Sequence, residues 1–264
     1  MKKIILIHRD FHKSSACTMA PGQTRRLIGI HTPQDTDAAT NRAVKKGLME
    51  HGYENNVLPG MMSANNCSLC QACVQLRIVV PEYKFSANER KLMYRNQQFA
   101  TSQKQTDYSP EHFALYLLHF AARIQRLGCP QPFTEPVFQF IAKARSHTQT
   151  ISDAKSGNMH AVLYYDDYGD SLYAAHQVYD PDLSQCHSLG RYGILKLIDH
   201  AQQRGDVKHI YIGYWVKDSP AMDYKKQFQP LEAFIAGAWV PFDPDCHTST
   251  PHLPVPEKLS IKFS

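Results

Sequence analysis

Cys67, Cys70 and Cys73 stand in a C-x-x-C-x-x-C pattern, with Cys17 well upstream and Cys129, Cys186 and Cys246 scattered singly. A two-residue spacing lets a tight loop bring both sulfurs to the same side. One further ligand would complete a tetrahedral zinc site or the four thiolates of an iron–sulfur cluster. Cys17 is the leading candidate for that fourth ligand, with His12 or no additional protein ligand as open alternatives. A redox-active or simply buried thiol group explains the same cluster without a metal. The three scattered cysteines read as small apolar residues.

A second constellation lies in the later half. A strand runs into Tyr179-Asp180-Pro181-Asp182, and Ser188-Leu189-Gly190-Arg191-Tyr192-Gly193 then opens a helix. The free N–H groups and positive end of such a helix suit a phosphate, and glycines allow a ligand to come close to the backbone. The competing readings are a Ser-capped core helix and a turn-forming Asp-Pro-Asp. G-x-G-x-x-G and P-loop signatures are absent from the sequence, as are H-E-x-x-H and G-x-S-x-G, so dinucleotide, metalloprotease and simple serine hydrolase chemistry are not indicated. The basic pairs Arg25-Arg26, Lys45-Lys46 and Lys225-Lys226, together with Tyr211, Tyr214, Trp215 and Tyr224, suit a single-stranded nucleic-acid end. Taken singly, each basic pair reads as a solvated face and the aromatic residues as core.

The chain that must position these groups has 264 residues, of which 43% are hydrophobic and 20% charged, and a net charge of +5. That is ordinary for a globular protein of one large or two small domains. The apolar runs are too short for a membrane-spanning helix, and the N-terminus lacks the apolar core of a signal peptide, so a reducing cytoplasm is the expected setting. Hydrophobic spacing predicts a strand over 3–7, a helix over 36–51, a strand over 76–80 and a helix over 87–99. The polar stretch 101–109 reads as a domain boundary. Ser109 and Pro110 then open a helix with Phe113, Leu117, Phe120, Ala121 and Ile124 on its apolar side, stopping at Gly128-Cys129-Pro130. A helix over 135–145 and a hairpin of strands over 160–165 and 172–179 follow. Ser188 caps a helix that buries Ile194, Leu195, Ile198 and Ala201, and a strand over 209–216 comes next. The expectation is an α/β fold, a mixed sheet flanked by helices with a small Cys-containing N-terminal module. The domains would be 1–105, 106–246 and an extended tail over 247–264.

The stretch 172–239 resembles the C-terminal domain of the aminoacyl-tRNA–protein transferases of the N-end rule, the eukaryotic arginyltransferases and bacterial aspartate/glutamate leucyltransferases. The resemblance is carried by Tyr179-Asp180-Pro181-Asp182, Ser188-Leu189-Gly190, Tyr211-Ile212-Gly213-Tyr214-Trp215, Met222-Asp223-Tyr224-Lys225 and Phe228-Gln229-Pro230. In the first half, the run from Cys67 through Cys73 to Arg77-Ile78, then Arg90 and Arg95-Asn96, is similar to the bacterial version, and Cys17 with Pro21-Gly22-Gln23 to a degraded first cysteine motif. The resemblance implies an acetyltransferase-like fold whose central loop, here at Ser188, Leu189, Gly190 and Tyr192, holds the donor's phosphates. It implies a charged tRNA, leucyl or arginyl, as donor and a protein or peptide N-terminus as acceptor, with no cofactor needed for transfer. Tyr179 and Asp180 would orient the reactants or relay a proton, and Tyr214, Tyr224 and Lys225 would meet the tRNA terminus. Zinc or an iron–sulfur cluster would sit on the N-terminal cysteines. An acyl-coenzyme A-dependent N-acyltransferase is a second reading, and a non-catalytic, metal-bearing RNA- or protein-binding module a third.

The sequence also departs from the family. Bacterial members typically have Gly-Phe-Arg-Arg-Ser-Gly where this chain has Gly52-Tyr53-Glu54-Asn55-Asn56-Val57, and Tyr-Arg-Pro where it has Ser63-Ala64-Asn65. A pocket for an acidic N-terminal residue needs positive charge, so the expectation of an Asp or Glu acceptor weakens here.

Overall fold

The computed structural model describes residues 2–9, 15–17, 24–32, 36–55, 60–65, 67, 70–127, 132–249 and 258–263. The readings on His12, Pro21-Gly22-Gln23, Asn56-Val57, Ser68-Leu69 and Gly128-Cys129-Pro130 lie outside these residues. In chain order the strands are β1 (Lys2–Arg9), β2 (Ser15–Ala16), β3 (Thr24–Arg25), β4 (Leu27–His31), β5 (Met61–Asn65), β6 (Val74–Val79) and β7 (Phe99–Gln105). They continue with β8 (His147–Asp153), β9 (Met159–Asp167), β10 (Ser171–Tyr179), β11 (His209–Trp215), β12 (Leu231–Ile235), β13 (Ala238–Pro241) and β14 (Lys258–Phe263). The α-helices are α1 (Ala38–Glu50), α2 (Ala87–Arg95), α3 (Pro110–Leu127), α4 (Glu135–Lys143), α5 (Pro181–His187) and α6 (Leu189–Arg204). Among the described residues, no helix is long and apolar enough to cross a membrane. The α/β class expected from the sequence is the one observed, with β-sheets flanked by helices.

The chain divides into two compact units, one of Met1–Val79 with Tyr211–Ser264 and the other of Val80–Ile210. In the second unit, β7, β8, β9 and β10 form consecutive antiparallel pairs. Val162, Tyr164 and Val178 pack against Leu115 and Tyr116 of α3 and Phe138 and Ala142 of α4. Gln149 on β8 donates to the Gly193 carbonyl of α6 at 2.8 Å, and Gln177 on β10 to the Leu189 carbonyl at 3.3 Å. The sheet is therefore covered on both faces, by α3 and α4 on one and α6 on the other. This explains why β9 reads as a nearly continuous apolar run.

Three local features differ from the sequence expectation. The polar stretch read as a boundary contains β7, whose polar side chains suit a sheet edge with one face in water. The buried face of α3 holds His112, Leu115, Tyr116 and His119, while Leu117 is 41% and Leu118 57% exposed. The histidines rotate the face because both find partners inside: His112 Nδ1 lies 2.7 Å from Tyr164 Oη, and His119 Nδ1 lies 3.2 Å from the Tyr179 carbonyl. Asp180-Pro181-Asp182, finally, opens the short helix α5. Asp180 accepts from the N–H groups of Asp182 at 3.0 Å and Leu183 at 3.1 Å, and Pro181 takes the first helical position.

In the first unit, β14 pairs antiparallel with β1, β1 with β4, and β4 with β5. β6, β12 and β13 form antiparallel pairs, and β11 lies beside β6. Asp37 caps α1 by accepting from Thr40 N at 2.9 Å. Arg77 on β6 gives two donors to Glu232 Oε2, at 2.7 and 2.6 Å, and stands 4.4 Å over the Trp239 ring. An arginine this enclosed would cost free energy alone; the carboxylate and the ring face offset that cost.

Candidate functional site

The second unit holds one cluster of candidate residues, at the end of β10 and the start of α6. Ser188 ends α5 and begins α6 in one step. Its φ of 47° and ψ of 47° are left-handed, its N–H donates to the Ser184 carbonyl at 2.8 Å, and its carbonyl accepts from Tyr192 N at 2.9 Å. The side-chain cap expected of Ser188 is absent, because the left-handed turn gives its backbone both jobs. The Leu189 N–H is satisfied instead by Ser184 Oγ at 3.2 Å. Leu189 and Tyr192 are buried, and Tyr192 Oη donates to the Asn96 carbonyl at 3.4 Å. Gly190 is required by proximity: a Cβ there would lie 2.8 Å from Cε1 of Tyr179. At Gly193 a Cβ would run into the amide nitrogen of Gln177.

Tyr179 is thus held from two sides, by the Gly190 backbone and by His119, whose ring meets it edge-on at 4.3 Å between centroids. Burial, aided by the charge of Arg123, pushes the His119 pKa down to about 4, against a smaller opposing effect of its bond to the Tyr179 carbonyl. The imidazole is neutral at pH 7. Asp180 caps α5 and also stands 3.7 Å from His160 Nδ1.

α2 lies across the start of α6. Asn96 donates to the His187 carbonyl at 2.8 Å, and its side-chain oxygen lies 2.7 Å from His187 Nδ1. Between the helices is a cavity of about 500 Å³ lined by Asn88, Lys91, Leu92, Arg95, Ser188 and Arg191. Arg191 pairs with Glu89 at 3.2 Å. Glu89 also closes the capping box of α2 with Ser86 and accepts from Tyr83 Oη at 2.9 Å. Burial raises its pKa, but the hydrogen bonds from Ser86, Tyr83 and Arg191 outweigh burial and hold it below the usual carboxylate range.

The first unit holds the other cluster. Lys225 donates to the Tyr214 carbonyl at 2.6 Å. Glu54 is 5% exposed, and both its Oε1 and the Lys225 ammonium lie within 4 Å of where a Cβ on Gly213 would sit. Gly213 has a φ of 73°, which leaves room for both charges and is the conformation glycine adopts most readily. Burial lowers the Lys225 pKa to about 8, against the opposing pull of Glu54 and Cys73. Tyr214 Oη accepts from Asn65 N at 3.2 Å, and Tyr224 is 40% exposed with its ring edge-on to Phe228.

The metal expected on Cys17, Cys67, Cys70 and Cys73 finds no support among the described residues. Cys67 Sγ accepts from Arg26 N at 3.3 Å and points back at the Arg26 carbonyl at 3.7 Å, so its thiol is used by backbone. Among the described residues, no group of three or more His, Cys, Asp and Glu side chains gathers in a way that could hold a metal ion. Cys73 acts instead on the field around Lys225.

The family model for the C terminus of arginine-tRNA-protein transferase matches residues 89–235, from α2 to the end of β12. The chain belongs to the arginine-tRNA-protein transferase family. Curated relatives include an aspartate/glutamate leucyltransferase of Nitrosospira multiformis, 31% identical over 86% of this chain and 87% of that one. Another, from Thiobacillus denitrificans, is 32% identical over 66% of this chain and 72% of its own length. Solved structures with partial likeness include L-PGS from Bacillus licheniformis, at TM-score 0.43 and 10% identity, covering 58% of this chain and 49% of that one. FemX also matches at TM-score 0.43 with 9% identity, covering 74% of this chain and 64% of that one. The family match takes in every residue named above for the transfer step. The structure adds residues that motif reading passed over: His119, Gln149 and Gln177 stand behind Tyr179 and α6, and Lys91 lines the cavity with Arg95 and Arg191 of the quoted motifs. A sequence signal that could have found the α2 side of the cavity is the spacing of Asn88, Lys91 and Arg95 on a single helix face.

Proposed function

We propose that the chain transfers an amino acid, leucine or arginine, from aminoacyl-tRNA to the N-terminal α-amine of a protein or peptide. The reaction is aminolysis of an ester. The amine nitrogen attacks the aminoacyl carbonyl carbon, the C–N bond forms, the bond to the ribose oxygen breaks, and the amine proton ends on the ribose hydroxyl. The ester is already activated and an α-amine has a pKa near 7.7–8.0, so the enzyme's main tasks are alignment and removal of one proton. In this reading Tyr179 and Asp180 orient the reactants or relay the proton. Ser188, Leu189, Gly190 and Tyr192 form the seat for the donor's phosphates, and Tyr214, Tyr224 and Lys225 meet the tRNA terminus. We place the reaction in the cytoplasm, where charged tRNA is made and used. No step runs through the cysteines.

The observation that supports this reading best is the close approach of Gly190 to the Tyr179 ring at the opening of α6, beside a cavity lined by Lys91, Arg95 and Arg191. The turn leaves a helix N-terminus facing a basic cavity, which suits an anionic donor. The test is to offer radiolabelled Leu-tRNA, Arg-tRNA or acetyl-coenzyme A with peptides beginning with Asp, Glu or a neutral residue. Label should pass to peptide from a tRNA. Failure of both tRNAs with every acceptor, while tRNA still binds, would remove the enzyme reading in favour of a binding module.

A further inference from the structure

The cavity between α2 and α6 carries more charge than the opening of α6 accounts for. Lys91 and Arg95 are exposed, line it from one face of α2, and have no ion pair among the described residues. Arg191 faces them from α6. Its pair with Glu89 uses one end of the guanidinium. Asn88 and Ser188 add neutral polar groups. Cations gathered around one cavity repel one another, and an anionic ligand relieves that repulsion.

Next to the cations stands an unburied aromatic ring. Tyr94 is 73% exposed, the highest exposure among the described large hydrophobic residues. It follows Lys91 by three positions and precedes Arg95 by one, so on a helix it flanks the lysine side of the cavity. An aromatic left in water beside cations spaced i and i+4 matches what a single nucleic-acid strand needs, a π-face for a base and charges for successive phosphates.

We infer that the α2–α6 cavity, through Asn88, Lys91, Arg95, Ser188 and Arg191, binds the sugar–phosphate backbone of the unpaired end of an RNA, with Tyr94 stacking on one of its bases. The inference rests on the proposed tRNA-dependent transfer and adds to it a binding site on α2 that holds the donor strand. Glu89 sets its limit: its carboxylate sits behind Arg191, so Lys91 and Arg95 carry most of the uncompensated charge.

The experiment measures binding of uncharged tRNA and of a short single-stranded RNA by fluorescence anisotropy across a salt series, with leucyl transfer assayed on the same proteins. For Lys91→Ala/Arg95→Ala, tRNA affinity should fall at least tenfold near 0.1 M salt, and the slope of log affinity against log salt should flatten by about 1.4, two contacts at about 0.7 each on a single strand. Tyr94→Ala should weaken the single-stranded RNA roughly tenfold and leave the salt slope unchanged. Both sites are exposed, so folding should survive. The charge-matched control Lys143→Ala/Lys155→Ala should bind as wild type. Unchanged affinity and slope in Lys91→Ala/Arg95→Ala, with wild type binding and transferring, would overturn the cavity and spare the proposed function. Wild type that binds tRNA in the cavity but transfers to no acceptor would overturn the function and spare the cavity. Displacement of labelled RNA by coenzyme A but not by unlabelled tRNA would overturn the choice of nucleic acid.

Discussion

The two units use positive charge in opposite ways. In the second, Lys91 and Arg95 stand in water at the mouth of a cavity, and only Arg191 is tied to a carboxylate. In the first, Lys225 is drawn in beside Glu54 and the Tyr214 carbonyl, and burial brings its pKa to about 8. Exposed cations attract a polyanion over distance and are weakened by salt; an enclosed ammonium is insensitive to salt and holds one group at one place. The contrast separates holding a donor from fixing a reactive end. It also bears on Glu54, a carboxylate in the stretch that departs from the resembled pattern. The carboxylate is compensated by Lys225 rather than presented alone, so the first unit reads as locally balanced where an acid-binding pocket would be positive.

The sharpest way to break this contrast is to unbalance the first unit. Lys225→Glu sets a second carboxylate beside buried Glu54 with no cation between them and should cost about 3–5 kcal/mol in urea unfolding, with part of the loss restored by adding Glu54→Gln. If Lys225→Glu unfolds like wild type, the ammonium is not enclosed as described. The sign of the pH effect is fixed as well. Lys225 has a folded pKa of about 8 against 10.5 ordinarily, so between these values the unfolded chain binds more proton, and stability from this group rises with pH. The melting temperature of wild type should climb relative to Lys225→Met from about pH 8 to 10.5.

A smaller effect is expected at Gly190. Gly190→Ala pushes a methyl against the Tyr179 ring and should cost about 1–3 kcal/mol by overpacking, with a loss of transfer larger than its loss of tRNA binding. Equal losses of the two would mean that the close approach serves the fold alone. His119 gives a loss of similar size in acid. Its folded pKa is about 4 against 6.5, so the unfolded state takes up the proton first. The stability present at pH 7 is then lost by about 2–3 kcal/mol as pH falls from 6.5 toward 4. His119→Gln should flatten that part of the urea-midpoint profile.

The smallest change concerns Asp180. Asp180→Ala removes the cap of α5 and should cost about 1 kcal/mol, whereas Asp180→Asn keeps a capping oxygen and most of the stability. Asn cannot accept a proton as a carboxylate does. Transfer that survives Asp180→Asn would make Asp180 a cap only; transfer lost with stability retained would give it a part in proton movement.

Much of the second unit was legible because its elements obey local rules. Pro110 opens α3, β9 and β10 are apolar runs joined through a tight turn, and α6 shows its buried face at Ile194, Leu195, Ile198 and Ala201. What stayed hidden was set by tertiary partners. His112 and His119 look polar in sequence, yet they are buried on α3 because Tyr164 and the Tyr179 carbonyl await them. β7 reads as linker because a solvated edge strand needs few apolar residues. The site shows the same division. Ser188 and Gly190 were visible as a helix opening, but the left-handed backbone that replaces a serine cap was not. The cavity needed two helices far apart in sequence, α2 ending at Arg95 and α6 beginning at Leu189, to meet, and the cysteine spacing could not reveal that the Cys67 thiol is spent on the backbone of Arg26.

The account is tested most directly by mass spectrometry of a peptide incubated with the protein and Leu-tRNA or Arg-tRNA, once with its α-amine free and once with it acetylated. The account predicts that the free-amine peptide gains one leucine or arginine residue at its N-terminus and the acetylated peptide gains nothing. No gain from either tRNA, or a gain only when acetyl-coenzyme A is supplied, would contradict it.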